Sequence, residues 1–410
     1  MLQRNADRLA LARYGSVVVF VLMSAFLLLA GMPEPAHAQT YKVIHNFTVN
    51  GGATPYSGPV FDRFGNMWGT DYTGGSYGSG GVYKLSRQGS SWSYTLVYSL
   101  KGVTDGAGPA FGTLAIGPKG MLFGTTEGGG YFGTAFAVCP YSNCARTESV
   151  VHSFGMGTDG AEPVGGVVFD SAGNFYGTTL LGGTYGNGTV YEATPSGKGF
   201  TTRVIYSFGA DTTDALNPAA GVTVDAQGNL YGTTSFGGAN GIGAIYKLSP
   251  SASGWTESVL YSFKGLDDAQ NPVGGLILDP SGNLYGTTFD GGVNGGGIVY
   301  QLSPSGGRWT FTTLYSFTGG YGGPYNKLTL DAKGNLYGAL NGESVYGYGS
   351  VFKLTPGTSG WTYTDLYDFT NGTDGGLPYG SVAVDSAGNV FGTAVTGGSN
   401  NQGVVFEITP

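Results

Sequence analysis

Charge is scarce in this 410-residue chain: Asp, Glu, Lys and Arg make up 11% of it, against roughly 25% in an ordinary soluble domain. The 18 basic and 26 acidic side chains are scattered without runs, and the net charge is -8. No basic patch is available to neutralise phosphates, which excludes a nucleic-acid partner. There are two cysteines and three histidines, too few for a zinc centre or a Ser-His-Asp triad to be readily assembled. No cofactor is expected. The one long apolar run, Val17 to Ala30, falls short of the ~20 residues a spanning helix needs. Glycine is what the chain has in excess, 78 residues of 410, where the usual share is ~7%. It does not recur every third residue, and 40% hydrophobic with 14% aromatic residues is too apolar for disorder, so neither collagen nor a disordered chain fits. A folded, turn-rich protein with a nearly neutral surface follows.

Arg4, Arg8 and Arg13 precede the apolar run and Ala36-His37-Ala38 follows it as a small-x-small cleavage site. These are the three parts of a secretory signal over residues 1–38. The mature chain, 39–410, is expected to be exported to the periplasm or the medium, without a transmembrane segment and monomeric. It keeps only His45 and His152. Cys139 and Cys144 lie in Cys-Pro-Tyr-Ser-Asn-Cys, which in an exported chain is most simply a disulfide stapling one hairpin. A zinc site finds no histidine nearby, and a redox pair more usually has two intervening residues.

A motif close to D-x-x-G-N-L-Y-G-T-T recurs with its turn glycine at Gly65, Gly120, Gly173, Gly228, Gly282, Gly334 and Gly388. Around it each copy carries a short apolar run such as Gly274 to Asp279, a strand such as Asn283 to Phe289, a glycine-rich loop, a third strand and a fourth such as Trp255 to Phe263. Four strands of period-two character separated by turn signals make an antiparallel meander. Seven such units predict an all-β fold, a seven-bladed β-propeller of four-stranded antiparallel blades. The repeats fall near 48–100, 101–154, 155–208, 209–263, 264–317, 318–369 and 370–410. The last lacks a fourth strand, and Tyr41 to Phe47 matches the missing pattern. Residues 39–47 are therefore expected to complete blade seven, closing the ring and removing two sheet edges.

The repeats, for example Val222 to Thr234 and Leu276 to Thr288 with the G-G-x-x-G-x-G stretches after them, resemble the choice-of-anchor tandem-repeat GloVer-containing proteins. The resemblance covers essentially the whole mature chain. It implies a bacterial exported repeat protein, secreted or held at the surface by a C-terminal anchor, and brings no catalytic residues to transfer. The D-x-x-G-N turn alone gives a weaker likeness to sialidase Asp-boxes and lactonase-type propellers.

The Asp of that turn, as in Asp225 or Asp279, is read as a hydrogen-bonding turn residue, with Gly supplying the positive φ. The aromatic after it, from Trp68 to Phe391, is read as packing because Trp, Phe and Tyr interchange. His45 and His152 occupy a slot that other copies give to Tyr. Function is expected on the loops. Asp105, Asp159, Asp214, Asp268 and Asp374 form a partial carboxylate ring, a weak calcium candidate for which loop capping is the simpler role. Tyr77, Tyr131, Tyr185 and Tyr346, with Asn187, Asn240 and Asn294, offer aromatic faces and neutral amides suited to a glycan or an envelope protein. The preferred reading is a non-catalytic binding scaffold. The alternative is a lyase or hydrolase acting through carboxylates, with Glu127, Asp290 and Asp71 as candidates; Asp71 stands where other copies place a second Thr.

Overall fold

The computed structural model describes residues 39–109, 111–140, 148–265, 268–319, 322–342 and 344–410. Thr40–Thr409 forms one compact unit, a seven-bladed propeller of four-stranded antiparallel sheets. Blade 4 shows the plan: Thr223–Val224 innermost, then Leu230–Thr234, Ala244–Ser251 and Gly254–Ser262 outermost. The second strand is buried along its whole length in every blade, whereas the outer strand alternates between exposed and half-buried positions. Sheets covered on both faces bury their inner strands continuously, and here that includes the two threonines of Leu-Tyr-Gly-Thr-Thr, while the outer strand meets solvent at the rim.

Ring closure follows the expected strand exchange. Blade 7 consists of Ala383–Val384, Val390–Ala394, Val404–Thr409 and the N-terminal strand Thr40–Asn46. Tyr41 pairs with Ile408 and His45 with Val405. Phe47 is fully buried in the blade 7 to blade 1 core beside Met67, Tyr83 and Phe391. The innermost strands are shorter than the apolar runs suggest. Of Gly274 to Asp279 only Ile277 and Leu278 pair in the sheet, because Gly274 lies against the next blade: a Cβ there would sit 2.7 Å from the Asn326 carbonyl oxygen.

Three recurrent residues acquire a physical role. The Asp225 carboxylate accepts from the Gln227 and Asn229 amides at 2.9 and 2.8 Å and from Asn229 Nδ2 at 2.7 Å, while Gly228 takes φ 80°. The aromatic after the turn is more than packing, since Tyr231 Oη donates to Asp225 at 3.0 Å and Trp68 Nε1 donates to Asp62 at 2.9 Å. Phe123 has no such donor, and its copy has Gly117 in place of the Asp.

The glycine after that aromatic faces the third strand. Gly69, Gly177, Gly232 and Gly286 pair with Tyr83, Tyr191, Tyr246 and Tyr300, and a Cβ on Gly232 would lie 2.4 Å from Tyr246 Oη. Only glycine admits a ring that close. The first Thr of G-T-T clasps the next blade: Thr125 Oγ1 donates to Gly165 O at 2.9 Å, Thr178 to Ala220 O at 2.9 Å, Thr233 to Gly274 O at 3.0 Å and Thr287 to Asn326 O at 3.2 Å. Thr393 donates to Ser57 O at 3.0 Å, joining blade 7 to blade 1.

Cys139 is buried just after the third strand of blade 2. Cys144 and the pairing expected with it lie outside the described residues. Among the described residues, no helix is long and apolar enough to cross a membrane.

Candidate functional site

Both families of connecting loops gather on one face. The D-G-x-x-P-like loops pair with the glycine-rich loops through short bridges such as Ala107 with Gly128, Ala161 with Leu181 and Gln270 with Asp290, and in blade 4 through Ala215–Leu216 with Phe236–Gly237. Each loop Asp is drawn into closing its own loop. Asp105 accepts from the Lys101 amide at 2.7 Å and Tyr98 Oη at 2.5 Å. Asp214 accepts from the Gly209 and Ala210 amides and Tyr206 Oη. Asp268 and Asp374 repeat this with Tyr261 and Tyr367. In blade 2, His152 takes the tyrosine's part, with Nε2 2.9 Å from Asp159. Among the described residues no three His, Cys, Asp or Glu side chains converge as a metal site.

Of the surface candidates the tyrosines stand free. Tyr131 is 84% exposed, Tyr77 60%, Tyr346 57% and Tyr185 52%. The asparagines are turned inward: Asn240 Nδ2 donates to Phe263 O at 2.9 Å, Asn294 Nδ2 to Ser316 O at 3.0 Å, and Asn187 Nδ2 to Tyr185 O at 3.3 Å. Their amides brace the glycine-rich loops, since a tight turn with few side chains needs its backbone acceptors satisfied locally.

The structure also brings together residues that are far apart in sequence. Just after the loop prolines, Tyr56, Phe111, Tyr325 and Tyr379 from blades 1, 2, 6 and 7 meet over the axis. Tyr56 contacts Phe111 and Tyr379 with ring centroids 5.4 and 5.3 Å apart, Phe111 contacts Tyr325 at 5.1 Å, and Tyr325 contacts Tyr379 at 5.9 Å. Tyr72 and Phe289 extend the cluster at 5.2 and 5.8 Å. All four central rings are half-buried. Glu127 stands at their edge, 3.4 Å from Tyr72 Oη. Burial raises the Tyr56, Tyr72 and Tyr325 phenols above their usual range, and the Glu127 charge adds to the effect. These phenols are neutral donors at physiological pH. The cluster is an apolar cap with hydroxyls at its rim and one carboxylate beside it.

The other carboxylate candidates lie apart. Asp290 is 3.4 Å from Asn271 Nδ2. Asp71 is wholly buried, neither of its oxygens has a side-chain hydrogen-bond partner among the described residues, and burial raises its pKa well above the usual carboxylate range, offset only in part by backbone amides such as that of Gly81. No hydrogen bond among the described residues joins any two of Glu127, Asp290 and Asp71. A further carboxylate, Glu257, is pushed up to about 7 by burial and then by the nearby Asp214 and Asp211 charges. It sits on an outer strand, in a shallow surface depression with Asp214 and Tyr206.

A profile of the Gloeobacter/Verrucomicrobia repeat matches residues 34–223, 133–257 and 221–410. No curated protein matches the sequence. Among solved structures, a putative 6-phosphogluconolactonase from Bacteroides uniformis superposes with TM-score 0.51 at 14% identity, over 76% of this chain and 83% of that one. A protein of unknown function from Dyadobacter fermentans gives 0.48 at 12% identity over 91% and 98%. A gluconolactonase from Xanthomonas campestris gives 0.42 at 12% over 76% and 87%. At such identities the likeness concerns the propeller fold and does not extend to activity.

Proposed function

The chain belongs to the Gloeobacter/Verrucomicrobia repeat family, and from that premise we propose that it is an exported, non-catalytic binding scaffold whose loop face receives an extracellular glycan at the axial cap. The observation that carries this reading is the Tyr56, Phe111, Tyr325 and Tyr379 cluster. Aromatic faces take up the apolar C–H faces of sugar rings, and neutral phenols at the edge supply hydrogen bonds. Glu127 adds an acceptor for sugar hydroxyls. The exposed Tyr77, Tyr131, Tyr185 and Tyr346 around it offer secondary contacts for a chain longer than one residue.

An acid-base enzyme would need two carboxylates converging on one substrate position, about 5 to 9.5 Å apart in glycoside hydrolysis. Asp71, enclosed in blade 1, cannot reach a ligand without unpacking the blade. The reading is tested by screening residues 39–410 against polysaccharides and an oligosaccharide array, with calcium and with chelator. Saturable binding in both buffers, abolished by Tyr379→Ala, is the expected result. Binding that survives Tyr379→Ala and Tyr325→Ala would move the site off the axis, and binding only to envelope protein would replace the glycan as ligand.

A further inference from the structure

The axial channel below the cap breaks the repeat at one residue. Two positions before the first strand each blade has an equivalent residue, and six of the seven line one cavity. Six blades place Gly58, Thr113, Gly166, Gly221, Gly275 and Ser381 there, and blade 6 places Lys327. The lysine stem runs beside blade 5, where a Cβ on Gly275 would lie 3.5 Å from Lys327 Cδ. Its amine meets no acceptor, carboxylate or aromatic face among the described residues. Burial lowers its pKa, with no neighbouring charge contributing.

An unpaired ammonium in a channel is costly, and glycine, serine or threonine at the equivalent positions shows that the fold does not require it. Around it is a cavity of ≈ 110 Å³ whose walls include Thr113, Gly166, Gly221, Lys327 and Ser381. The titratable groups that share this wall are the phenols of Tyr325 and Tyr379, and no carboxylate lines it. The lining runs from the cap rings Phe111, Tyr325 and Tyr379 to Val168 and Val222.

We propose that this channel binds a small organic carboxylate, held by the Lys327 amine with the Thr113 and Ser381 hydroxyls as further donors. One cation matches one anionic charge, whereas a phosphate dianion would carry a second, uncompensated charge into a poorly solvated site. The volume limits the buried part to a few heavy atoms, since an apolar cavity of about 150 Å³ accommodates benzene. Binding favours the protonated amine, so uptake of the anion takes up a proton and weakens as pH rises. The cavity shares Phe111, Tyr325 and Tyr379 with the cap, and what sets it apart from the glycan reading is its chemistry, a single cation in place of aromatic faces.

The test is calorimetric titration of residues 39–410 with sodium acetate, sodium nitrate and sodium chloride at fixed ionic strength, between pH 6 and 9. Saturable acetate binding is expected, at least tenfold tighter than nitrate or chloride, and weakening toward pH 9. Lys327→Met should weaken it at least tenfold while Lys327→Arg retains it. Equal affinity for the three anions, or acetate affinity independent of pH in the unmodified protein, would overturn the proposal even if Lys327→Met failed to fold. So would unchanged acetate binding by a folded Lys327→Met variant.

Discussion

Replacing Asp71 with Thr should make the propeller more stable, and increasingly so with rising pH. In four other blades the position holds Thr126, Thr179, Thr234 or Thr288, whose hydroxyl donates to a carbonyl of the following loop at 2.8 to 3.1 Å. Asp71 occupies the same buried place with no side-chain partner for either oxygen among the described residues and Gly52 pressed against them. A buried polar group without a partner costs about 1–3 kcal/mol, and a satisfied hydroxyl contributes about 1 kcal/mol. The expected gain near neutrality is therefore about 2–4 kcal/mol.

The sign of the pH dependence follows from the raised pKa. The folded protein holds a proton that the unfolded chain releases above about pH 4, so wild-type stability is lost as pH rises from there toward the folded pKa, at up to about 1.4 kcal/mol per unit. The threonine variant lacks this loss. Urea denaturation of both proteins from pH 4 to 8, followed by tryptophan fluorescence, would give the difference directly. A difference that stays flat or negative across the range would refute the assignment of Asp71 as a buried, protonated acid.

His45 acts in the opposite direction over an overlapping range. Burial lowers its pKa to about 4, so stability is lost as pH falls from about 6.5 to 4, by at most about 3 kcal/mol; His45→Tyr, matching Tyr206 and Tyr261, should flatten that limb of the acid titration. Tyr246→Phe should be neutral or stabilising by up to about 1–3 kcal/mol in urea unfolding, because Tyr246 Oη is buried without a partner and blades 2, 6 and 7 already hold Phe136, Phe352 and Phe406. Deleting residues 39–47 removes a full-length strand and Phe47 from the blade 7 core, and should lower the melting temperature and produce oligomers by light scattering through the exposed edge of Val404–Thr409.

The propeller and its closure were legible because they depend on local periodicity. The D-x-x-G-N turn, the alternating strands and the strand missing after Thr409 can all be counted along the chain. The cap was not legible. Tyr56, Phe111, Tyr325 and Tyr379 lie in short linking segments with no strand pattern, and they become neighbours only when seven blades converge on an axis. Lys327 was hidden for the same reason. The asparagines of the glycine-rich loops were visible as polar surface, but whether an amide faces solvent or its own loop is decided by backbone conformation, as Asn240 shows. The Tyr231 hydroxyl was similarly underestimated: interchange with Phe looked like indifference to the phenol, yet it donates to the turn carboxylate, and of the two copies with Phe, that of Phe123 also lacks the carboxylate while that of Phe391 keeps Asp385.

The most direct test of the axial cap as a binding platform is titration calorimetry of the best saccharide from an array screen, comparing wild type with Tyr56→Ala, Tyr379→Ala and the peripheral Tyr131→Ala. Loss of at least tenfold in affinity at both cap positions, with a smaller loss at Tyr131, is the expected result. Unchanged affinity in both cap variants, with their melting curves intact, would contradict it.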